Sequence, residues 1–168
     1  GSVQVVGRAF TSGHSATNPN VHLAADPHTD NKVLLGYSDY GAATYDLWIH
    51  ICTISGTSIS ADSGTDMNDT NPTSEATILF NKDTSGKFYS YYNSDGGDTR
   101  VQVHTYNGSS MTAIGGVQEI VDHRTPNQVV ENPLDATQHL MFYKEETTND
   151  GKLAIIDYSG DTASVTTT

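Results

Sequence analysis

Four tyrosines are the residues of this chain with the clearest chemical use at a surface. Tyr40, Tyr45, Tyr91 and Tyr92 lie in strands beside polar turns that are rich in Asp, Asn, Ser and Gly. A phenol ring on an exposed sheet can stack on a sugar ring while neighbouring Asp and Asn side chains bind the sugar hydroxyl groups. These residues are therefore a predicted ligand-binding surface for carbohydrate, and cross-strand packing of the same rings is the structural alternative.

A second candidate site is a short acidic loop. Asp66, Asn68 and Asp69 lie close together in the segment DMNDTN, and Asp26–Asn31 has a similar composition. Carboxylate and amide oxygens are the ligands that calcium prefers, so the first segment is a candidate site for a structural calcium ion. Neither segment has the EF-hand pattern, and solvation of the loop by water is the alternative. No other cofactor is predicted.

The remaining reactive side chains favour structural roles. No pair of the seven histidines has the local spacing of a zinc site. His50 and His104 are predicted to occupy equivalent third strands, and His22 and His139 equivalent first strands, which indicates a repeated structural role. Cys52, the single cysteine, lies in an apolar strand and is predicted to be a buried thiol. Because the chain also has no Gly-rich phosphate loop and no nucleophile elbow, we expect no enzyme activity.

The charge of the chain argues against several partners. The net charge is −12, from 20 acidic and 8 basic residues. Phosphate backbones and anionic membranes would be repelled, so neither nucleic acid nor a membrane is an expected partner. A sialidase-type site needs a cluster of arginines for the substrate carboxylate, and the chain has only Arg8, Arg100 and Arg124. A glycoside hydrolase is therefore the least favoured function.

The composition predicts an all-β fold. Charged residues make up 17% of the chain and hydrophobic residues 35%, while Ser, Thr, Asn, Asp and Gly fill much of the rest. That composition is typical of many short strands joined by polar turns. No run keeps a period of 3.6 over three turns, so no long amphipathic helix is predicted. A chain of 168 residues can form one domain, here residues 1–168.

Three copies of one sequence unit organise the chain. Each copy is predicted to open on Asn-Pro, to continue with an apolar strand, and to start a second strand, which contains Tyr, at a lysine. The Asn-Pro pairs are Asn18-Pro19, Asn71-Pro72 and Asn132-Pro133, and the lysines are Lys32, Lys87 and Lys152. The units span about 14–65, 66–126 and 127–168. Residues 1–13 form a partial unit, because Val3–Phe10 resembles Val101–Tyr106, which is read as a third strand.

Repeats of this length with about four antiparallel strands are typical of β-propeller blades. Three units are fewer than the roughly four to eight blades of a closed ring. The ring would therefore be incomplete, or other chains would complete it. A two-sheet β-sandwich or jelly roll is the alternative, because tandem hairpins also produce internal similarity.

The turns between second and third strands resemble Asp-boxes, the Ser-x-Asp-x-Gly-x-x-Trp turns of sialidase-like propellers. The resemblance lies in Ser38–Gly41 with Trp48, in Ser94–Gly97 and, with altered order, in Ser159–Asp161. In such turns Asp accepts hydrogen bonds from turn amides and Gly supplies a positive φ. The resemblance implies a motif that folds hairpins and has no catalytic role.

The first unit also resembles the blade-like β-repeats of structural proteins of marine bacteriophages. The matching segments are Asp26-Pro27, Lys32–Gly41 and Ile54–Ser60, with weaker matches at Lys87–Gly97 and Lys152–Asp161. The resemblance implies a non-catalytic module of a phage tail or capsid fibre, at the virion surface or elsewhere outside the cell. Its partners would be copies of itself or other virion or surface proteins. A lectin-like module that binds glycans on a receptor is the alternative.

Overall fold

The computed structural model describes residues 21–40, 45–62, 64–67, 72–94, 97–122, 128–145 and 147–167. All regular elements in these ranges are β-strands, and the ranges contain no helix. The predicted all-β class is therefore confirmed. A helix long and apolar enough to cross a membrane is accordingly not found in the described part of the chain.

The strands form three antiparallel sheets, numbered here in chain order. Sheet 1 contains β1 (Val21–Ala25), β2 (Lys32–Tyr40), β3 (Tyr45–Ser55), β4 (Ser58–Ala61) and β5 (Thr65–Asp66). Sheet 2 contains β6 (Pro72–Phe80), β7 (Lys87–Ser94), β8 (Asp98–Tyr106) and β9 (Met111–Asp122). Sheet 3 contains β10 (Gln128–Asn132), β11 (Asp135–Lys144), β12 (Gly151–Ser159) and β13 (Thr162–Thr167). Strands that follow one another in the chain are neighbours in each sheet, except that β5 pairs with β3.

Short polar side chains reverse the chain between these strands. Before β7, Asn81 Oδ1 accepts hydrogen bonds from the backbone N–H groups two and three residues later, at 3.0 and 2.6 Å. Gly86 then takes a positive φ of 75°. Before β2, Asp26 Oδ1 accepts a backbone N–H at 2.8 Å and Asn31 takes a φ of 65°. An Asx turn followed by a left-handed residue therefore reverses the chain at both places.

Of the turns predicted to be Asp-box-like, Ser159–Asp161 and the two ends of Ser94–Gly97 are described. In the β7–β8 hairpin, the Gly97 N–H donates to the Ser94 carbonyl at 2.9 Å, and Gly97 has a φ of 97°. In the β12–β13 hairpin, Gly160 has a φ of 65°. Both glycines occupy backbone conformations that other residues rarely adopt. In the first unit, β2 ends at Tyr40, and residues 41–44 lie outside the described ranges.

Sheet 2 lies between sheets 1 and 3 and is covered on both faces. Every residue of β7 after Lys87 is buried, which is typical of a strand with apolar contacts on both sides. Phe88 and Tyr92 belong to the core shared with sheet 1, whereas Tyr89 and Tyr91 belong to the core shared with sheet 3. The described residues thus form three layers, and the two-layer sandwich alternative is wrong for them.

Sheets 2 and 3 fall inside the second and third predicted units, and sheet 1 falls inside the first except for Asp66 of β5, but sheet 3 is offset by one strand. The strand before the lysine-containing strand is an edge strand in sheets 1 and 2, whereas in sheet 3 that strand, β11, follows an additional strand, β10. Pro72 therefore begins a first strand, while Asn132-Pro133 lies at the β10–β11 hairpin. In sheet 3 Asn-Pro thus precedes β11, the strand before the lysine-containing strand, but it does not open the sheet. Asn18-Pro19 and the partial unit 1–13 lie outside the described residues.

Candidate functional site

The predicted carbohydrate surface is wrong for two of its four tyrosines. Tyr91 is 2% exposed and Tyr92 is 3% exposed, each in a different inter-sheet core. A ring with no exposed face cannot stack on a sugar, so cross-strand and inter-sheet packing explains both residues. Tyr40 and Tyr45 pair at the end of the β2–β3 ladder, where only the backbone is described. Carbohydrate contact at that pair stays a prediction.

The predicted calcium loop lies mostly outside the described residues. Asp66 is an exposed residue of β5 whose backbone pairs with Trp48, and Asn68 and Asp69 fall in residues that are not described. In the similar segment, Asp26 accepts a backbone N–H of its own turn. Within the ranges given above, no group of three His, Cys, Asp or Glu side chains is placed to hold a metal ion. Calcium binding stays a prediction from the sequence.

A cluster of ionisable side chains fills part of the core between sheets 2 and 3. Tyr91 Oη lies 2.5 Å from His139 Nδ1 and also makes a short hydrogen bond with Tyr158 Oη. The ring of Tyr89 packs on the rings of His139 and Tyr158, with centroid distances of 4.6 and 4.3 Å. Asn81 Nδ2 donates to Tyr89 Oη at 2.9 Å. We call Tyr89, Tyr91, His139 and Tyr158 the Tyr–His cluster.

Three strands position the Tyr–His cluster. Tyr89 and Tyr91 are two residues apart on β7, so both side chains point to the same face of sheet 2. His139 on β11 and Tyr158 on β12 point to them from sheet 3, because both belong to the face that packs on sheet 2. The cluster therefore joins two sheets that share no hydrogen-bonded strand pair.

Burial sets the protonation states of the cluster. His139 is 1% exposed, and burial lowers its pKa to about 4. Burial also raises the pKa of both Tyr91 and Tyr158. All three groups are thus neutral at neutral pH. A Tyr–His pair in hydrogen-bond contact can transfer a proton, and all four side chains of this cluster are at most 8% exposed.

A second histidine lies in the core between sheets 1 and 2. His104 Nε2 is 2.7 Å from Ser90 Oγ, and its ring stacks on Phe88 with centroids 4.6 Å apart. Burial lowers its pKa to about 4. In the same interface, His22 Nδ1 accepts the backbone N–H of Ile78 at 3.1 Å, which ties β1 to β6. These histidines have structural roles.

The predicted equivalence of His50 and His104 is wrong by one strand period. Val33 and Phe88 directly follow the equivalent lysines Lys32 and Lys87. Val33 pairs with Cys52 in sheet 1, and Phe88 pairs with His104 in sheet 2. Cys52 thus occupies the place of His104, and His50 lies two residues earlier, with Nε2 3.2 Å from Tyr37 Oη. Cys52 is 5% exposed, so the predicted buried thiol is confirmed. Burial, with a smaller effect of Asp62, raises the pKa of this thiol, which makes it a poor nucleophile.

A groove of about 330 Å³ lies where β1, β6 and β10 approach one another. Its lining is mainly apolar, and the ionisable groups among the lining residues are His22, Lys82 and Glu131. Lys82 Nζ donates to the carbonyls of Asn132 and Pro133 at 3.2 and 3.3 Å, and desolvation raises the pKa of Glu131. Glycoside hydrolysis uses two facing carboxyl groups, and this lining supplies one.

Sequence reasoning missed the Tyr–His cluster. Its members come from three strands, and two that share a hydrogen bond, Tyr91 and Tyr158, are 67 positions apart in the chain. The one local signal is the pair Tyr89 and Tyr91, which the strand period places on one face. That signal does not reveal which face of another sheet will cover the pair.

Comparisons of the chain with protein-family models, with curated proteins and with solved structures find no match.

Proposed function

We propose that this chain is a non-catalytic structural module that assembles with copies of itself in a virion-surface or other extracellular structure. The observation that carries the proposal is the contrast between the middle sheet and the end sheets. Strand β7 of sheet 2 is buried on both faces, whereas apolar side chains lie exposed on both end sheets. They are Val21 and Leu23 on β1 of sheet 1 and Val130 and Phe142 on sheet 3.

The buried titratable groups support a structural role. The Tyr–His cluster and the His104–Ser90 pair each lie between two sheets, with every member buried. Enzymes place perturbed groups where substrate reaches them, usually in a cleft. Here the groups with the most perturbed pKa values hold sheets together instead.

In this proposal the sheets are blades of a propeller-like array. The edge strands β1, β6 and β10 lie on one side of the stack and line the groove described above. On the other side, Gln118 of β9 donates to the Asp161 carbonyl at 3.1 Å and accepts the Ala163 N–H of β13. Sheets 2 and 3 are thus in contact along both sides, as blades around one axis would be.

The native mass of the particle tests the proposal. Light scattering coupled to size-exclusion chromatography is expected to give a multiple of the 18.0 kDa chain mass that rises with loading concentration. A single-chain mass at every concentration would contradict self-assembly. Glycan binding by such a monomer would instead support the carbohydrate-binding alternative at Tyr40 and Tyr45.

A further inference from the structure

The outward face of sheet 3 has a contiguous apolar patch. We call it the Phe142 face, and it consists of Val130, Leu140, Phe142, Leu153 and Ile155. Val130 pairs with Leu140, Leu140 with Ile155, and Phe142 with Leu153, so the five side chains adjoin across β10, β11 and β12. Phe142 is 56% exposed and Val130 is 48% exposed. Exposed apolar side chains that adjoin in this way mark interaction sites.

Alternation along the strands shows that this patch faces away from sheet 2. Met141 and Ala154, which lie between its members on β11 and β12, are both 0% exposed in the core shared with sheet 2. Successive side chains of a strand point to opposite faces. The patch therefore lies on the face of sheet 3 that is opposite to the face packed on sheet 2.

Opposite charges lie at the two ends of the Phe142 face. Lys144 lies at one end of β11, where it pairs with Gly151, and its side chain is exposed. Asp157 lies at the other end on β12, where it pairs with Gln138 and accepts a hydrogen bond from Gln138 Nε2 at 2.7 Å. Lys144 lies six positions beyond Gln138, the pairing partner of Asp157, so the two charges are about 20 Å apart at the rise of a β-strand.

We propose that the Phe142 face binds the same face of a second copy of this chain. The two-fold axis lies between the two sheets and runs across their strands, so that β11 of one copy lies over β11 of the other in the reversed direction. Lys144 of each copy then lies near Asp157 of the other, and the apolar residues cover one another. This arrangement rests on the self-assembly proposed above and names the surface through which it occurs.

The size of the face predicts a weak dimer. Three strands and seven residues along β11 cover a sheet area of about 330 Å², from the spacing of strands and of residues. Two such faces bury roughly 670 Å², well below the range of stable specific interfaces. We therefore expect a dissociation constant on the order of micromolar or weaker.

Sedimentation velocity over a range of concentrations tests the surface. Wild type is expected to show a reversible increase in mass, and Phe142→Asp should raise the dissociation constant by about a hundredfold, since a central aromatic residue carries much of the binding energy. Ile59→Asp is the matched control. Ile59 is 43% exposed on β4, at the other end of the stack, and its substitution should leave association unchanged. Association of Phe142→Asp at the wild-type affinity overturns the proposal.

Charge reversal gives a second test that leaves the apolar residues in place. Lys144→Glu and Asp157→Lys should each weaken association about threefold to tenfold, because each change occurs twice in the two-fold dimer. The double variant should recover most of the wild-type affinity. Thermal melting of every variant at a concentration where it is monomeric shows whether the fold is intact. Additive loss in the double variant overturns the two-fold arrangement.

The two proposals fail in different ways. A wild-type chain that stays monomeric refutes self-assembly itself and this surface with it. A wild-type oligomer that is unaffected by Phe142→Asp refutes only the surface and leaves the proposed function standing.

Discussion

The two interfaces that enclose sheet 2 are built from different chemistry. The interface with sheet 1 is mainly aliphatic and aromatic, with Leu34, Ile49, Ile78 and Phe88 all 0 or 1% exposed. The interface with sheet 3 contains the Tyr–His cluster beside its apolar residues. The same sheet thus uses burial of apolar area on one side and a polar network on the other.

The difference matters for specificity. The side chain of Ile78 fills the space that a Cβ atom at Gly36 would occupy, so sheets 1 and 2 approach closely by shape alone. An apolar interface tolerates small shifts of one sheet on the other with a modest loss of stability. A buried hydroxyl–imidazole network stabilises an interface only in the arrangement that satisfies its hydrogen bonds. We infer that the first interface supplies most of the stability and the second defines how sheet 3 is oriented on sheet 2.

The largest expected effect comes from truncating the first interface. Phe88→Ala should lower the free energy of unfolding by about 3–5 kcal/mol, because it deletes a fully buried ring and leaves a cavity. Urea denaturation measures the change. Phe142→Ala, studied where the chain is monomeric, is the matched control, since its ring is 56% exposed and should cost much less. Equal losses for the two variants would show that the core between sheets 1 and 2 is not tightly packed.

Acidification should weaken both interfaces, since each contains one deeply buried histidine. The folded-state pKa values of His104 and His139 are about 4, below the ordinary value of 6.5. The unfolded chain therefore binds more protons between these values, and stability falls as the pH drops from 6.5 through 4. Each histidine can contribute a loss of about 3 kcal/mol, at roughly 1.4 kcal/mol per pKa unit.

Substitution separates the two histidines in this pH dependence. His104→Phe and His139→Phe should each reduce the slope of unfolding free energy against pH in that window, and the double variant should reduce it further. Urea titrations at several pH values provide the slopes. A slope that neither substitution changes would mean that other groups cause the acid sensitivity.

The features that sequence reasoning predicted correctly are local ones. Strand alternation, polar turns and a Ser-Asp-Gly-Gly segment at Ser94–Gly97 act over a few residues, and they predicted the all-β class and the hairpins. Cys52 was predicted to be buried because a strand of apolar neighbours covers a thiol wherever the sheet packs.

The features that were predicted wrongly depend on which sheet covers which face. Tyr91 and Tyr92 are residues of the type that stacks on sugar rings, but stacking of three sheets buries both sides of β7. β10 was missed because its five residues include only two valines and follow a polar connector. The pairing of His50 with His104 failed because a hairpin register that differs by two residues leaves the alternation of side chains unchanged.

The smallest expected effects on stability come from removing single hydroxyl groups. They compare the isolated Ser90–His104 pair with the Tyr–His cluster. Ser90→Ala removes one partner from His104 Nε2 and should cost about 1–2 kcal/mol, the penalty for one buried polar group without a partner. Tyr91→Phe removes the hydroxyl shared by His139 and Tyr158, so two buried groups lose a partner and the cost should be about twice as large. Tyr158→Phe is the control, because Tyr91 keeps His139 as a partner and the loss should be similar to that of Ser90→Ala.

A double-mutant cycle decides whether the three groups act as a unit. If they do, Tyr91→Phe combined with Tyr158→Phe should cost less than the sum of the single changes, because the first substitution already removes the interaction that the second would break. Urea denaturation of the four chains at neutral pH gives the coupling energy. Strict additivity would mean that the hydroxyl groups are satisfied independently, and the orientation of sheet 3 would then have to come from its apolar contacts, as it does between sheets 1 and 2.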